Sequence, residues 1–113
     1  MRQLSVGIIG TGWCGGIRAL AAASSPLVGS LHIAEINPDR LAEVRAQTNP
    51  VTATLNWEEI IANPDIEAVM VSTTPETTHY PITKAALTAG KHVLSEKPIA
   101  LTLEEADDLI ETA

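Results

Sequence analysis

A glycine-rich loop near the N-terminus has the spacing that lets a backbone approach phosphate groups. Gly10, Gly12 and Gly15 fit the pattern G-x-G-x-x-G, after an apolar run and at the start of a helical pattern. The first glycine permits a tight turn, the second leaves room for a pyrophosphate, and the third lets the helix pack closely. Free amides and the helix dipole there favour negative charge. The loop predicts a dinucleotide site; the alternatives are a glycine turn without ligand or a site for another adenine nucleotide.

An acidic residue lies where such a site needs one. Glu35 comes 20 residues after Gly15, at the end of the second predicted strand. A carboxylate there accepts hydrogen bonds from the adenosine ribose and repels a 2′-phosphate. Ile36 adds no positive charge, whereas Arg40, further along, would offset part of this repulsion. The pattern therefore favours NAD over NADP.

Two further groups of polar residues follow predicted strands directly. Thr73, Thr74 and Pro75 come after the fourth strand, and Glu96 and Lys97 come after the fifth. Ligands of an open parallel sheet bind outside the carboxyl ends of its strands, so both groups should share a rim with the glycine loop. A lysine ammonium on that rim can exchange a proton with a substrate hydroxyl or carbonyl. The alternative for Lys97 is an ordinary solvated lysine, and Glu96 would orient it or bind a local backbone amide.

Single residues of chemical interest are assigned by their place in the pattern. Trp13, in the glycine loop, is expected to cover the cofactor or to fill a gap against another domain. Cys14 is interpreted as a small packing residue. His32 and His92 lie inside strand patterns and are interpreted as structural, whereas His79, near a helix start, is a site candidate.

Short β-rich runs alternate with helical patterns along the whole chain. The continuous apolar run at residues 68–71 is typical of a strand covered on both faces, as in parallel sheets. Right-handed β-α-β connections then give an α/β fold, a doubly wound parallel Rossmann sheet with helices on both faces. The predicted strands cover residues 4–9, 31–35, 51–54, 66–72 and 92–95.

Capping signals and apolar spacing predict the helices between these strands. Asn37 and Thr102 are predicted N-caps, Asn56 and Glu59 resemble a capping box, and Gly90 predicts a left-handed stop. Helical patterns cover about residues 14–24 and 79–89, among others. The predicted inward-facing residues are Ile17, Leu20 and Ala21, then Leu41 and Val44, then Ile82, Ala85, Ala86 and Ala89, and finally Leu103, Ala106, Ile110 and Ala113.

Composition bounds the class of protein. The 113 residues are 45% hydrophobic and 19% charged, which fits one folded domain and excludes a disordered chain. The net charge of -7 argues against a nucleic-acid partner, and five of the fourteen acids lie in the last ten residues, on a solvated helix face or an interaction tail. The single cysteine fits a cytoplasmic protein without a metal site, and no apolar run approaches the ~20 residues of a membrane span.

Four stretches together resemble one family, the Gfo/Idh/MocA family of NAD(P)-dependent oxidoreductases (glucose-fructose oxidoreductase, inositol 2-dehydrogenase and rhizopine catabolism). They are the glycine motif, the acid that ends the second strand, T-P-x-x-x-H at residues 74–79, and G-K-H-V-L-S-E-K-P at residues 90–98. The last stretch is far more specific than the glycine motif. The resemblance extends over essentially the whole chain.

The resemblance implies hydride transfer between a nicotinamide and a secondary alcohol carbon of a sugar, polyol or related substrate. It implies that Lys97 lies beside the reacting carbon as the catalytic residue, that residues 73–75 line the cofactor, and that His79 lies near the nicotinamide half. A cis bond before Pro98 is also implied. The cofactor-binding residues expected on these grounds are Gly10, Thr11, Gly12, Trp13, Cys14, Gly15, Glu35, Thr73, Thr74, Pro75, His79, Glu96 and Lys97.

Length is where the chain departs from the family. Members are several times longer, and their C-terminal α/β domain carries the substrate pocket, the oligomer interface and an Asp/His pair. We therefore expect residues 1–113 to be the N-terminal dinucleotide-binding domain of a homo-oligomeric enzyme, truncated before its last strand, with the C-terminal α/β substrate domain absent from this chain. The alternative is a non-catalytic nucleotide-binding, regulatory or interaction module that keeps the Rossmann fold.

Overall fold

Five strands build one parallel sheet in the computed structural model, which describes residues 2–113. The strands are β1 (Leu4–Ile9), β2 (Val28–Ala34), β3 (Thr52–Thr54), β4 (Ala68–Val71) and β5 (His92–Ser95). Their order across the sheet is β3-β2-β1-β4-β5, and every neighbouring pair is parallel. This is the predicted Rossmann arrangement, with β3 and β5 at the edges of the sheet.

Five α-helices cover the two faces of the sheet. They are α1 (Trp13–Ser24), α2 (Pro38–Thr48), α3 (Trp57–Ala62), α4 (His79–Thr88) and α5 (Leu103–Thr112), with a short 3-10 helix at Glu76–Thr78 before α4. Side chains of β1 alternate between two cores, because successive residues of a strand point to opposite faces. Val6 and Ile8 pack with α1 and α2, whereas Ile9 packs with α3 and α4. The predicted double winding is thus confirmed.

The predicted helix ends are confirmed at the level of single hydrogen bonds. Asn37, Asn56 and Thr102 each accept a bond from a backbone amide in the first turn of their helix. Gly90 follows α4 with φ 81°, the left-handed conformation expected of it. The capping box at α3 is incomplete, because the Glu59 carboxylate contacts the Thr54 hydroxyl instead of the Asn56 amide.

The inward face of α1 differs from the prediction. Ile17 is 54% exposed and Leu20 and Ala21 are also exposed, while the buried residues of this helix are Gly15, Gly16, Ala19 and Ala22. The helix lies so close to the sheet that only glycine and alanine fit between them. The apolar spacing therefore indicated the wrong side of the helix.

The last helix is also turned away from its predicted face. Leu103 is 84% exposed and Ile110 is exposed as well, as is Ala113, while Leu109 is the buried residue of α5 and Ala106 is half-buried. Polar contacts to α4 orient the helix: Tyr80 and Lys84 donate to Asp108 at 2.6 Å and 2.5 Å. On α4 itself, Ile82 and Ala86 face inward as predicted and Ala85 is half-buried, while Ala89, directly after the helix, is exposed.

Candidate functional site

The loop between β1 and α1 has the backbone geometry that its three motif glycines predict. Gly10 has φ 88°, a conformation that favours glycine, and its amide donates to the Ala34 carbonyl at 2.9 Å. A Cβ on Gly15 would fall on the Gly10 carbonyl, so this residue sets how closely α1 can approach the loop. A Cβ on Gly12 would meet nothing within 4 Å. The surface above Gly12 is therefore open to a ligand.

The N-terminus of α1 opens onto the same space without a side-chain cap. Gly12 is its N-cap and has no capping side chain, and the Gly16 amide is bonded to the Gly12 carbonyl at 2.8 Å. The amides before Gly16 thus have no intrahelical partner and can bind an anion. Trp13 is 83% exposed and Cys14 is exposed, so the interpretation of Cys14 as a packing residue is wrong. The start of the helix turns both side chains outward.

Glu35 is fixed at the end of β2 by three residues around its carboxylate, Thr11, Asn37 and Arg40. The Thr11 amide and hydroxyl both donate to Oε1 at 2.8 Å, and the Asn37 amide donates to Oε2 at 3.0 Å. Burial by itself would raise the Glu35 pKa, but these bonds and the nearby Arg40 charge outweigh it, so the pKa lies below the ordinary value. The carboxylate is therefore charged at neutral pH and keeps lone pairs free for further donors.

Arg40 ties the second helix to the glycine loop. Its Nε donates to the Thr11 carbonyl at 2.6 Å, and a Cβ on Gly16 would contact its guanidinium. One terminal nitrogen also lies 3.5 Å from the Glu43 carboxylate. The cation therefore lies at the predicted ribose site, beside the acid, with part of its donor capacity already used.

A cavity of about 470 Å³ lies between these elements. It brings together five predicted site residues: Gly10, Gly12, Glu35, Thr73 and Thr74. Arg40, Ser72 and Trp57 add to its wall. The other predicted site residues lie outside this wall: Thr11, Trp13, Cys14, Gly15, Pro75, His79, Glu96 and Lys97.

His79 lies beneath the rim and has no free ring nitrogen. It is 3% exposed, with Nδ1 at 2.8 Å from the Pro98 carbonyl and Nε2 at 2.8 Å from the Thr73 carbonyl. The hydroxyls of Thr73 and Thr78 also meet, and Thr78 donates to the Pro75 carbonyl at 2.6 Å. His79 therefore joins the loop after β4 to the loop after β5, instead of facing the cavity.

The loop that carries Lys97 leaves the sheet next to β4. The Glu96 amide donates to the Val71 carbonyl at 2.8 Å, and the Lys97–Pro98 bond is cis, as the resemblance implied. Lys97 is exposed, and among the ion pairs of residues 2–113 none includes it. Glu96 pairs instead with Arg18 of α1, at 2.7 Å between Nη1 and Oε2.

The sequence pattern predicts neither the contacts of Arg18 nor the bond from Arg40 to the Thr11 carbonyl. Arg18 meets Ser72 and Glu96, which are 54 and 78 residues away along the chain. Nothing in local spacing signals such a long-range pair. The Thr11 hydroxyl was expected at the cofactor, whereas it points to Glu35 and holds that carboxylate.

Membrane-spanning helices and metal-ligand clusters are both absent from the part of the chain that the structure describes. No helix within residues 2–113 is long and apolar enough to cross a membrane. Over the same range, no group of three or more His, Cys, Asp or Glu side chains is placed to hold a metal ion.

Comparison with known families and proteins gives a consistent match. The family model described as "Oxidoreductase family, NAD-binding Rossmann fold" matches residues 4–113. A levoglucosan dehydrogenase from Pseudarthrobacter phenanthrenivorans is 40% identical over 114 aligned positions, gaps included, and the match covers 94% of this chain and 29% of that protein. A scyllo-inositol 2-dehydrogenase (NADP(+)) from Bacillus subtilis is 38% identical over 109 residues, with 94% and 29% covered. The chain spans about a third of the length of these relatives.

Solved structures share the fold closely. A levoglucosan dehydrogenase in complex with NADH and levoglucosan superimposes with a TM-score of 0.86 at 37% identity, covering 98% of this chain and 32% of that one. A 3-ketoreductase from Actinomadura kijaniata in complex with NADP and TDP-benzene gives a TM-score of 0.86 at 30% identity, covering 99% and 35%.

Proposed function

The chain belongs to the Gfo/Idh/MocA oxidoreductase family, and from that premise we propose that residues 1–113 form the dinucleotide-binding domain of a sugar or polyol dehydrogenase. The main support for this proposal is the geometry of the glycine loop beside Glu35. The glycine loop leaves open space at the uncapped start of α1, directly beside a carboxylate that is held ready to accept hydrogen bonds. This combination fits the pyrophosphate and the adenosine ribose of one ligand.

The residues present fit such a ligand part by part. Backbone amides from Gly12 into the first turn of α1 would bind the pyrophosphate, and Glu35 would accept from the ribose hydroxyls. Thr73 and Thr74 would line the far side of the cavity, with Pro75 beyond them. When bound, the nicotinamide supplies a carbon that accepts or returns a hydride.

NAD fits this site better than NADP. The Glu35 carboxylate is charged at neutral pH, its lowered pKa favours that charged form further, and a 2′-phosphate would have to approach the charge. Arg40 would attract such a phosphate, but its Nε is already bonded to the Thr11 carbonyl. Relatives named for NADP show that the family uses both cofactors, so the local acid is the basis for the preference proposed here.

Lys97 is proposed as the catalytic residue. It is an exposed ammonium on the rim formed by the carboxyl ends of the strands. During oxidation of a secondary alcohol, the neutral amine form of Lys97 would take the hydroxyl proton at Nζ, and during reduction the ammonium form would return that proton to the carbonyl oxygen. His79 is not assigned a contact with the nicotinamide, because both of its ring nitrogens are occupied.

The proposal extends to the substrate class, the oligomeric state and the compartment of the complete enzyme. The substrate class is the sugars and polyols that the relatives' names contain, and the working enzyme would be a cytoplasmic homo-oligomer. The single, exposed cysteine is compatible with a reducing compartment. The net charge of -7 gives no support to a nucleic-acid partner.

Cofactor titration tests the binding part of the proposal. NADH should quench the fluorescence of Trp13 and Trp57 saturably, and NADPH should bind more weakly. Glu35→Gln should narrow the difference between the two cofactors, because the repelling charge is removed. Glu58→Gln, an exposed acid on α3, serves as the matched control and should keep the wild-type ratio. Equal affinity of the unaltered chain for NADH and NADPH would contradict the NAD preference.

Steady-state kinetics test the catalytic part. In the complete polypeptide that contains this chain, Lys97→Ala should lower kcat far more than it weakens NADH binding, since the ammonium acts in the proton transfer. The control is Arg45→Ala, which removes an exposed cation on α2. Losses of equal size in kcat and in NADH affinity would assign Lys97 to cofactor binding instead.

A further inference from the structure

We propose that Arg18 and His79 are positioning residues that hold the backbone on the two sides of Lys97. The inference rests on the proposed function, in which Lys97 exchanges the substrate proton. Arg18 acts through Glu96, the residue before Lys97, and His79 acts through Pro98, the residue after it. Neither side chain is assigned a contact with substrate or cofactor.

The Arg18 contact anchors the upstream side to the phosphate-binding helix. Its Nη1 lies 2.7 Å from Glu96 Oε2 and donates to the Ser72 hydroxyl at 3.1 Å. Glu96 Oε2 is buried, and the Arg18 guanidinium is its ion-pair partner. Both side chains are 29% exposed. The pair fixes the Glu96 side chain against α1, and Glu96 directly precedes Lys97 in the chain.

The His79 contact anchors the downstream side to the loop after β4. Each ring nitrogen lies 2.8 Å from a carbonyl oxygen, Nδ1 from that of Pro98 and Nε2 from that of Thr73. Carbonyl oxygens only accept, so a neutral ring satisfies one of them and a doubly protonated ring satisfies both. The ring is buried, and the two contacts join the loops that follow adjacent strands β4 and β5.

The two contacts hold the chain neighbours of Lys97 and come from different helices. Arg18 belongs to α1, whose start is the proposed pyrophosphate site, and His79 begins α4. The position of the Lys97 backbone is thereby tied to the elements that would carry the cofactor. Displacing a reacting group by about 1 Å costs on the order of 10²-fold in rate, so such ties have a measurable kinetic effect.

The test uses the complete polypeptide that contains this chain, with NAD and a panel of levoglucosan, myo-inositol and scyllo-inositol. Arg18→Met and His79→Ala should each lower kcat by on the order of 10²-fold, while the NADH Kd stays unchanged. Arg18→Lys keeps the charge and should restore part of the loss. Arg45→Met and His92→Ala, at exposed positions on α2 and β5, are the matched controls and should behave as wild type.

A double-variant comparison separates this inference from the proposed function. If Arg18 and His79 act through Lys97, adding either substitution to Lys97→Met should cost no further activity, because residues that act as a unit are not additive. Full activity of Lys97→Met would overturn the proposed function. A strong loss in Lys97→Met together with wild-type kcat in Arg18→Met and His79→Ala would overturn the positioning role alone.

Amide hydrogen exchange gives a readout that needs no turnover. The peptide covering residues 95–99 should exchange faster in Arg18→Met and His79→Ala, while peptides from β1 and β2 keep wild-type protection. Unchanged exchange in residues 95–99 would contradict the inference even if no panel compound is oxidised. A general rise over the whole chain would show that the variants act by unfolding, which also contradicts it.

Discussion

The glycines of the loop after β1 differ in what their missing side chains achieve. At Gly15 the absence of a Cβ makes room for the Gly10 carbonyl inside the protein. At Gly12 it leaves space outside the protein, where the nearest heavy atom would be more than 4 Å from a Cβ. One motif therefore combines a packing requirement with open space for the proposed ligand, and the two can be separated by substitution.

Gly15→Ala and Gly12→Ala should have opposite effects on folding and binding. Gly15→Ala should lower the free energy of unfolding by about 1–3 kcal/mol, because the new methyl group overlaps the Gly10 carbonyl. Gly12→Ala should leave this free energy nearly unchanged, since a Cβ there meets nothing within 4 Å, but should weaken NADH binding. Urea unfolding and NADH titration measure the two quantities. Equal destabilisation by both substitutions would contradict the assignment.

At the scale of whole elements, strands were more predictable from the sequence than helix faces. The predicted bounds of β1 and β5 are those observed, and β2 begins three residues earlier than predicted, at Val28. Buried parallel strands are recognisable because they are apolar throughout. The inward face of α1 could not be recognised in the sequence, because large apolar residues such as Ile17 are exposed and small ones such as Ala19 are buried.

The candidate site also contains residues whose position the sequence predicts and residues whose position it does not. Gly10, Gly12 and Glu35 follow strands, so topology alone brings them to one cavity. The roles of Arg18 and His79 depend on how loops pack above the sheet. Arg18 meets partners more than 50 residues away, and the direction of the His79 ring depends on the path of the Lys97 loop. No local pattern contains that information.

His32 links the three strands β1, β2 and β3 through polar contacts. Its Nε2 lies 3.3 Å from the Ser5 hydroxyl and its Nδ1 lies 2.8 Å from the Thr52 hydroxyl. Burial lowers the His32 pKa below its ordinary 6.5, against a smaller opposing effect of the Asp65 charge. The unfolded chain therefore binds this proton more readily than the folded chain does.

Stability should accordingly fall as the pH drops through 6.5 toward the lowered pKa of folded His32. Urea unfolding on both sides of 6.5 measures the change, and His32→Asn should reduce its size. His92→Asn, on the edge strand β5, is the control and should keep the wild-type dependence. A dependence that is the same in wild type and His32→Asn would show that another group is responsible.

The attachment of α5 to α4 depends on one carboxylate. Asp108 accepts from Lys84 at 2.5 Å and from Tyr80 at 2.6 Å, and these bonds lower the Asp108 pKa. Asp108→Asn should loosen α5, seen as faster amide exchange in residues 103–112 than in the remaining helices. Asp107→Asn, at an exposed neighbouring position, removes the same charge and should leave exchange unchanged. Equal effects of the two variants would point to net charge instead of this contact.

At the scale of the whole molecule, much of the excess acid belongs to a helix other than the one that begins at the proposed phosphate site. Five acids lie in the last ten residues, and all of them belong to α5. Asp108 is used in packing, while Glu104, Asp107 and Glu111 are exposed. The acidity of the chain is thus largely that of one helix surface and does not oppose an anionic ligand at the start of α1.

Binding of the proposed dinucleotide should raise the free energy of unfolding of this chain. A ligand that binds only the folded state, at a free concentration of a hundred times its Kd, stabilises it by about 2.7 kcal/mol. For a domain near this size, each kcal/mol of stabilisation raises Tm by roughly 4–8 °C. NADH should produce such a rise in the 113-residue chain, because the residues proposed to bind the pyrophosphate and the ribose all lie within it.

Two comparisons decide whether that rise reports the proposed site. Gly12→Ala should reduce the NADH-dependent increase in Tm and change the Tm of the free chain little, because a Cβ at this position meets nothing within 4 Å and projects into the space proposed for the pyrophosphate. ATP shares the adenosine half but lacks the nicotinamide, so it should raise Tm less than NADH does. An equal rise with ATP would favour the alternative that the loop serves another adenine nucleotide. No rise with either ligand would contradict dinucleotide binding by these residues.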